Sequence, residues 1–243
     1  MQLSKAHIIH QLQKEILSLH GFKTRMPGSL LDVQLGPIKY AFPNNNFPLG
    51  AIHEFICSEA EDSAATTAFI AGIASSLMRN NGVSLWIGSK KTLYAPALKS
   101  FGIAPEKIIF IELQREKEIL WAMEEALKCN GLAVVMAEIK DLSFTASRKL
   151  QLAVEQSFVT GFVIRHNPIT ITNTACVSRW QIKPVRSSPE EGLPGVGYPR
   201  WNVNLLKVRN GKGGSWMVEW NAGSFRHIPD NVSVFEEEKK KTG

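Results

Sequence analysis

The sequence predicts an α/β protein of three layers, in which helices cover both faces of a mainly parallel sheet and antiparallel strands extend that sheet near the C-terminal end. Two observations carry this prediction. Between residue 50 and about residue 165, short apolar runs alternate with longer segments whose apolar residues recur at helical spacing, which is typical of buried parallel strands joined by helices. After Pro168 the helical spacing stops, and apolar and polar residues alternate between turn-forming stretches, as in antiparallel strands.

The first 47 residues are predicted to form a helix followed by an extended arm. Ser4 is a suitable N-cap, and the apolar residues Ile8, Leu12 and Ile16 follow it at helical spacing. Gly21 ends this helix, and two clusters rich in Pro, Gly and Asn precede residue 48. The arm therefore leads into the main domain.

The predicted core spans residues 48–225. We expect its parallel strands at residues 51–56, 84–87, 107–111, 132–136 and 160–164. Its helices are expected at residues 64–79, 93–101 and 116–129 and in the segment that Ser143 caps. The antiparallel strands are expected at residues 174–184, 201–208 and 215–220. Residues 226–243 are predicted to be a charged, disordered tail.

Composition favours a protein of the cytoplasm. Hydrophobic residues make up 44% of the chain and charged residues 21%, as in ordinary globular proteins. The longest nearly apolar run, residues 64–78, is too short to cross a bilayer, and no secretory signal opens the chain.

Cys57, Cys129 and Cys176 lack metal-ligand spacing and are odd in number, which favours reduced, mostly buried thiols. The histidines have no metal-ligand spacing either, so the sequence predicts neither a metal nor a cofactor.

Positive charge is concentrated in one stretch. The net charge is +6, and residues 165–212 hold eight basic and two acidic residues, so this stretch accounts for the whole excess. Such a concentration indicates either a local anionic partner or a solvated face. The candidate contacts with DNA or a protein partner are Arg165, Arg179, Lys183, Arg186, Arg200, Lys207, Arg209 and Lys212.

Aromatic residues lie between these charges, as they do in proteins that stack single-stranded DNA. Trp180, Trp201 and Trp220 are among them. In an alternating strand, however, Trp180 and Lys183 point to opposite faces, which favours a core position for most of the tryptophans. A Gly- and Pro-rich loop at residues 192–199 carries three apolar residues and is a candidate docking element for a protein; these are Leu193, Val196 and Tyr198.

The order of the elements resembles the core of the RecA recombinase. Residues 49–55 resemble the RecA strand that leads into the phosphate-binding loop, and residues 90–103 match the segment after its second core strand. A closer resemblance is to ImuA, the RecA-like accessory protein of inducible mutagenesis in bacteria. It is carried by residues 93–98, 120–129, 142–153, 178–180, 192–201, 206–211, 215–216 and 219–220. These strings cover about residues 45–225 in the shared order, and the resemblance implies a RecA-like three-layer fold.

The phosphate-binding loop of RecA is not matched. Such a loop needs glycines whose backbone N–H groups wrap the phosphates, a lysine and a Ser/Thr hydroxyl for Mg²⁺. At residues 57–67 only threonine keeps its type, and the Gly-Lys pair is replaced by two alanines. The acids at this loop would repel phosphate, because two unit charges about 5 Å apart repel by about 3 kcal/mol at an effective dielectric near 20. The loop residues considered are Ser58, Glu59, Glu61, Asp62, Ala65 and Thr66.

Two further ATPase positions also differ from RecA. Met136 stands where the Mg²⁺-associated Asp is expected, although Glu138, on the same strand face, is a candidate substitute. Lys90 stands at the position of the acid that orients the attacking water, and a cation cannot accept a proton. We therefore expect neither ATP hydrolysis nor catalytic residues.

The ImuA resemblance implies a non-catalytic adaptor in damage-induced translesion synthesis. Its implied partner is ImuB, an inactive relative of Y-family polymerases. The RecA filament, an error-prone polymerase III α-type subunit and single-stranded DNA are further candidates. Two alternatives remain: a RecA-like ATPase with an atypical loop, and an inhibitor of the division protein FtsZ like SulA, which shares the degenerate fold. The chain's length and its basic C-terminal part speak against the second alternative.

Overall fold

The computed structural model describes residues 33–79, 82–90, 93–187 and 195–229. The predicted N-terminal helix, Leu193 and residues 230–243 of the predicted tail lie outside these residues. Three α-helices are described: α1 (Ala60–Leu77), α2 (Glu116–Leu127) and α3 (Phe144–Ser157). Short 3-10 helices lie at Gly36–Ala41, Pro43–Asn45, Ala95–Phe101 and Pro105–Lys107. Within this part of the chain, no helix is both long enough and apolar enough to span a bilayer.

Nine described strands form one mixed sheet. They are β1 (Ile52–Cys57), β2 (Val83–Gly88), β3 (Ile108–Glu112), β4 (Leu132–Ile139), β5 (Thr160–His166), β6 (Ser178–Val185), β7 (Arg200–Val208), β8 (Gly214–Asn221) and β9 (Ser224–Ile228). Their order is β3-β2-β4-β5-β1-β6-β7-β8-β9. Pairing is parallel from β3 to β6 and antiparallel from β6 to β9. The predicted α/β class with antiparallel C-terminal strands is confirmed.

Helices on the two faces of the sheet bury two separate apolar clusters. Helix α1 packs on one face, where Phe55, Phe69 and Trp180 are fully buried. Helices α2 and α3 cover the parallel strands on the other face, around Met123 and Val163. The strands between them are apolar on both sides, which explains the continuous apolar runs in the sequence.

Helix α1 approaches the sheet closely because many of its residues are small. At Gly72, a Cβ atom would lie 2.5 Å from the Phe225 ring and 2.9 Å from the Trp220 ring. Only a residue without a side chain fits between the helix and strands β8 and β9 at this point. The fit joins the antiparallel extension firmly to the rest of the core.

Several boundaries differ from the sequence prediction. Residues 33–47 do not form an extended arm: Ile38 and Phe42 are buried in the α1-side cluster. The segment predicted as a helix at residues 93–101 is 3-10 from Ala95, with Pro96 in its first turn. Strand β6 begins at Ser178 rather than at residue 174, and β9 was not predicted. Since β9 ends at Ile228, the sheet continues past residue 225.

Candidate functional site

Strands β4, β5 and β1 are parallel neighbours, so their C-terminal ends lie at the same edge of the sheet. Open α/β sheets bind ligands at this edge. Only Ser58 and Glu59 separate β1 from α1, which begins at Ala60. The N–H of Ser63 donates to the carbonyl oxygen of Glu59 at 3.2 Å, within the first turn of the helix. Regular helical bonding therefore starts within the stretch where a phosphate-binding loop leaves its N–H groups free.

Asp62 is the one acid of this segment that turns inward. It is 5% exposed, whereas Glu59 and Glu61 are exposed to solvent. Its Oδ2 accepts a hydrogen bond from the N–H of Ser58 at 3.3 Å. A carboxylate of the protein thus occupies a backbone donor in the turn between β1 and α1.

Ala65 and Thr66, in the second turn of α1, are also buried. The Thr66 hydroxyl accepts a weak hydrogen bond from Cys57 Sγ, 3.4 Å away. Burial raises the pKa of Cys57 to about 11, so this thiol remains protonated near neutral pH. The Thr66 hydroxyl is therefore turned toward a thiol of the core.

Glu138, the acid near the end of β4, also has a hydrogen-bond partner within the protein. Met136 is buried in the core, and Glu138 Oε1 accepts a hydrogen bond from Trp86 Nε1 at 2.6 Å. Its other oxygen, Oε2, lies 3.3 Å from Nε2 of His166. Lys90 lines a neighbouring cavity of about 210 Å³, which is smaller than the usual ligand pockets of roughly 300–1,000 Å³.

A buried ion network lies beside this edge and explains two of the basic residues. Glu54 is fully buried in β1, and its carboxylate accepts from Arg165 Nη1 and from Arg179 Nε, each at 2.8 Å. Arg165 is 1% exposed and Arg179 is 8% exposed. Our prediction that these two arginines contact DNA or a partner is therefore wrong, because their charged groups neutralise a carboxylate inside the protein.

Two further predicted contacts bind the chain's own backbone. Lys207 Nζ donates to the carbonyl oxygen of Thr174 at 2.9 Å, and Arg209 Nη2 donates to that of Ala175 at 2.6 Å. Both side chains are partly buried. The sequence did not indicate these roles, because the carbonyl groups belong to a segment more than 30 residues earlier in the chain.

The remaining basic candidates lie at the surface. Lys183, Arg186 and Lys212 are exposed, and Arg200 Nε donates to Glu219 at 2.6 Å. In the predicted docking loop, the described residues are also exposed: Val196 is 85% and Tyr198 36% exposed. These positions remain predictions as contacts.

The tryptophans of the C-terminal strands belong mainly to the core. Trp180, Trp201 and Trp220 are at most 5% exposed and pack with Phe69 and Phe225. Their rings are therefore unavailable to stack DNA bases, as the alternation along the strands had indicated.

Comparisons with known proteins agree with this architecture. No family model matches the chain. The structure of the RadB recombinase matches with a TM-score of 0.51 over 75% of this chain and 93% of that chain, at 11% sequence identity, and this likeness shows a shared RecA-like fold. Protein ImuA from two strains of Caulobacter vibrioides is 33% identical over 208 residues, covering 81% of this chain and 85% of the relative. At this identity and coverage, the chain belongs to the ImuA family.

Proposed function

We propose that this protein is a non-catalytic cytoplasmic adaptor in damage-induced translesion synthesis. It binds an ImuB-like partner and does not turn over ATP. The RecA filament, an error-prone polymerase III α-type subunit and single-stranded DNA are its further candidate partners. Family membership supports the DNA-repair context of this proposal.

One observation supports the proposed lack of ATP turnover: the inward-facing carboxylate of Asp62 accepts a hydrogen bond from the Ser58 N–H, in the segment expected to bind phosphate in an active relative. An anion entering this position has to displace a carboxylate and remain close to it, with a repulsion of about 3 kcal/mol at about 5 Å. The hydrogen bond to Glu138 supports the same reasoning, because a Mg²⁺ ion would have to compete with the Trp86 N–H for one of its carboxylate oxygens.

Thermal denaturation with and without Mg-ATP tests this part of the proposal. A ligand present at a hundred times its dissociation constant adds about 2.7 kcal/mol of stability, which would raise the melting temperature by several degrees. We expect no rise and no phosphate release. A rise that disappears in a Thr66→Ala variant would place nucleotide at this site and refute the proposal.

A binding assay with the ImuB homologue of the same organism tests the adaptor role. The docking surface includes the exposed cations of the C-terminal part, so we expect the double variant Lys183→Glu/Lys212→Glu to bind more weakly. Lys99→Glu/Lys117→Glu, which reverses two exposed lysines outside the C-terminal part, is the matched control. Deleting the C-terminal strands is unsuitable, because Trp201 and Trp220 are core residues. Failure of the unmodified protein to bind the ImuB homologue would contradict the adaptor role.

A further inference from the structure

The chain between β5 and β6 crosses the surface with its side chains in water. Residues 169–173 are all exposed, and the side chains of Ile169 and Ile171 are 74% and 56% exposed. Single exposed apolar side chains are common on proteins and indicate no partner by themselves. The hydrogen bonds that hold residues 169–174, called here the 169–174 segment, are more informative than this exposure.

Three cationic side chains hold the 169–174 segment by its backbone. Each donates to one carbonyl oxygen: Arg165 Nη2 to Thr170 at 2.8 Å, Arg179 Nη2 to Thr172 at 2.5 Å and Lys207 Nζ to Thr174 at 2.9 Å. Glu54, which neutralises both arginines, also accepts from the Thr174 hydroxyl at 2.8 Å. The segment is therefore fixed from inside the protein by charged groups.

The spacing of these bonds defines the two backbone edges of the segment. The carbonyl groups of residues 170, 172 and 174 all face the cations, and this period of two is that of an extended chain. In an extended chain the N–H and C=O of one residue point to the same side, and those of the next residue to the opposite side. The backbone groups of Ile171 and Asn173 therefore face away from the cations, as at the open edge of a sheet.

This arrangement costs free energy that the segment does not recover by packing. Burying Glu54 and its arginines removes charges from water, and ordering the backbone costs about 1–2 kcal/mol per residue. The exposed residues 169–173 bury little apolar surface in exchange. A chain ordered in advance does, however, bind a partner with a smaller loss of conformational entropy.

The surroundings of the segment are positively charged. The cations that contact the segment or the residue after it are Arg165, Arg179, Lys207 and Arg209, and the carboxylates that contact it are Glu54 and Asp141. Four cations against two anions leave a local charge of +2. Burial lowers the pKa of Lys207, and the neighbouring cation Arg179 lowers it further. Burial and the cation Arg148 lower the pKa of Arg209 in the same way. An acidic partner relieves this excess of positive charge.

We propose that the 169–174 segment is a preordered strand edge that pairs with an extended, acidic segment of a partner protein. The outward N–H and C=O groups of Ile171 and Asn173 form the backbone hydrogen bonds, and apolar side chains of the partner cover Ile169 and Ile171. This inference rests on the proposed adaptor function, for which it supplies the contact surface.

Two matched pairs of variants test the inference against the ImuB homologue of the same organism, with affinity measured by biolayer interferometry. Ile169→Ser/Ile171→Ser removes the apolar contacts, and Ile109→Ser, which replaces a 51% exposed isoleucine of β3, is its control. Asn173→Pro removes one outward N–H group, and Asn173→Ala is its control. All four variants alter exposed positions, and their melting temperatures are measured to verify folding.

We expect Ile169→Ser/Ile171→Ser and Asn173→Pro each to weaken binding at least about tenfold. Both controls should stay within about twofold, and binding should weaken as NaCl rises from about 0.05 to about 0.3 M. Equal binding by wild type and all variants would overturn the inference while leaving the adaptor function intact. If the variants instead lost binding to single-stranded oligothymidylate and kept the ImuB homologue, the segment would be a DNA contact and the inference would be wrong. If the wild type did not bind the ImuB homologue, the adaptor function would fail, and the inference with it.

Discussion

Replacing Glu54 by glutamine removes the single negative charge between two buried arginines, and we expect it to destabilise the fold strongly. Both ion pairs have N–O distances of 2.8 Å, and Glu54 and Arg165 are almost completely inaccessible. The amide keeps the volume and one acceptor oxygen. It leaves Arg179 without its neutralising charge and Arg165 with only the partly exposed carboxylate of Asp141, 3.0 Å from its Nη2. Two unit charges about 4 Å apart attract by about 4 kcal/mol at an effective dielectric of 20.

Breaking a buried pair by removing one partner costs about 3–5 kcal/mol. In a chain of this size, 1 kcal/mol corresponds to about 2–4 °C in melting temperature, so Glu54→Gln should melt about 6–20 °C lower. Urea denaturation followed by circular dichroism measures the free energy of unfolding. The control is Glu118→Gln, which breaks the exposed ion pair of Glu118 with Arg115 at 3.5 Å and should cost less than about 1 kcal/mol.

Hydrogen exchange gives a second measurement for Glu54→Gln. Because Arg165 and Arg179 also hold the carbonyl groups of Thr170 and Thr172, losing Glu54 should loosen the segment. The hydrogen-bonded amides of Ile169 and Ala175, at its two ends, should then exchange faster in the variant. The reasoning would be refuted if Glu54→Gln unfolded within about 1 kcal/mol of the wild type and left this exchange unchanged, since the network would then contribute neither stability nor order.

Three further measurements test the core. Cys129 is exposed, whereas burial raises the pKa of Cys57 to about 11 and that of Cys176 to about 12; the native protein should expose one thiol to Ellman's reagent at pH 8, and the denatured protein all three. Gly72→Val should destabilise the fold by about 2 kcal/mol or more in urea denaturation, because its side chain overlaps the aromatic rings beside the helix. Burial lowers the pKa of His53 from 6.5 to about 4, so the unfolded chain binds a proton that the folded chain excludes. The free energy of unfolding should therefore fall by about 3 kcal/mol as the pH drops from above 6.5 to about 4, because His53 is protonated only in the unfolded chain. A His53→Gln variant should not show this decrease.

The sequence predicted the positions of the parallel strands along the chain, because burial on both faces demands continuous apolar runs. It placed the start of α1 too late, since the first turn of that helix contains acids and small residues rather than a hydrophobic stripe. The inward turn of Asp62 follows from the earlier start: as the third helical residue, Asp62 reaches back to the Ser58 N–H, much like the return bond of a capping box. An acid three residues after the N-cap, Glu59, was the available signal.

The buried network was missed because its members are far apart in the sequence. Arg165 and Arg179 lie 111 and 125 residues from Glu54, and a count of charges along the chain assigns both to the surface. One signal was present. Glu54 lies in an apolar strand predicted to be buried, and a carboxylate in such a position requires a cationic partner from elsewhere in the fold.

Most basic residues of this stretch are bound within the protein, which leaves few of them to contact a partner. Of the eight basic residues from Arg165 to Lys212, four donate to Glu54 or to backbone carbonyl groups. A fifth, Arg200, is paired with Glu219. Affinity for DNA by counterion release requires cations that reach phosphates, and these five are already engaged. Most of the positive charge of this region is thus used within the protein, which supports the proposed protein partner over a nucleic-acid backbone.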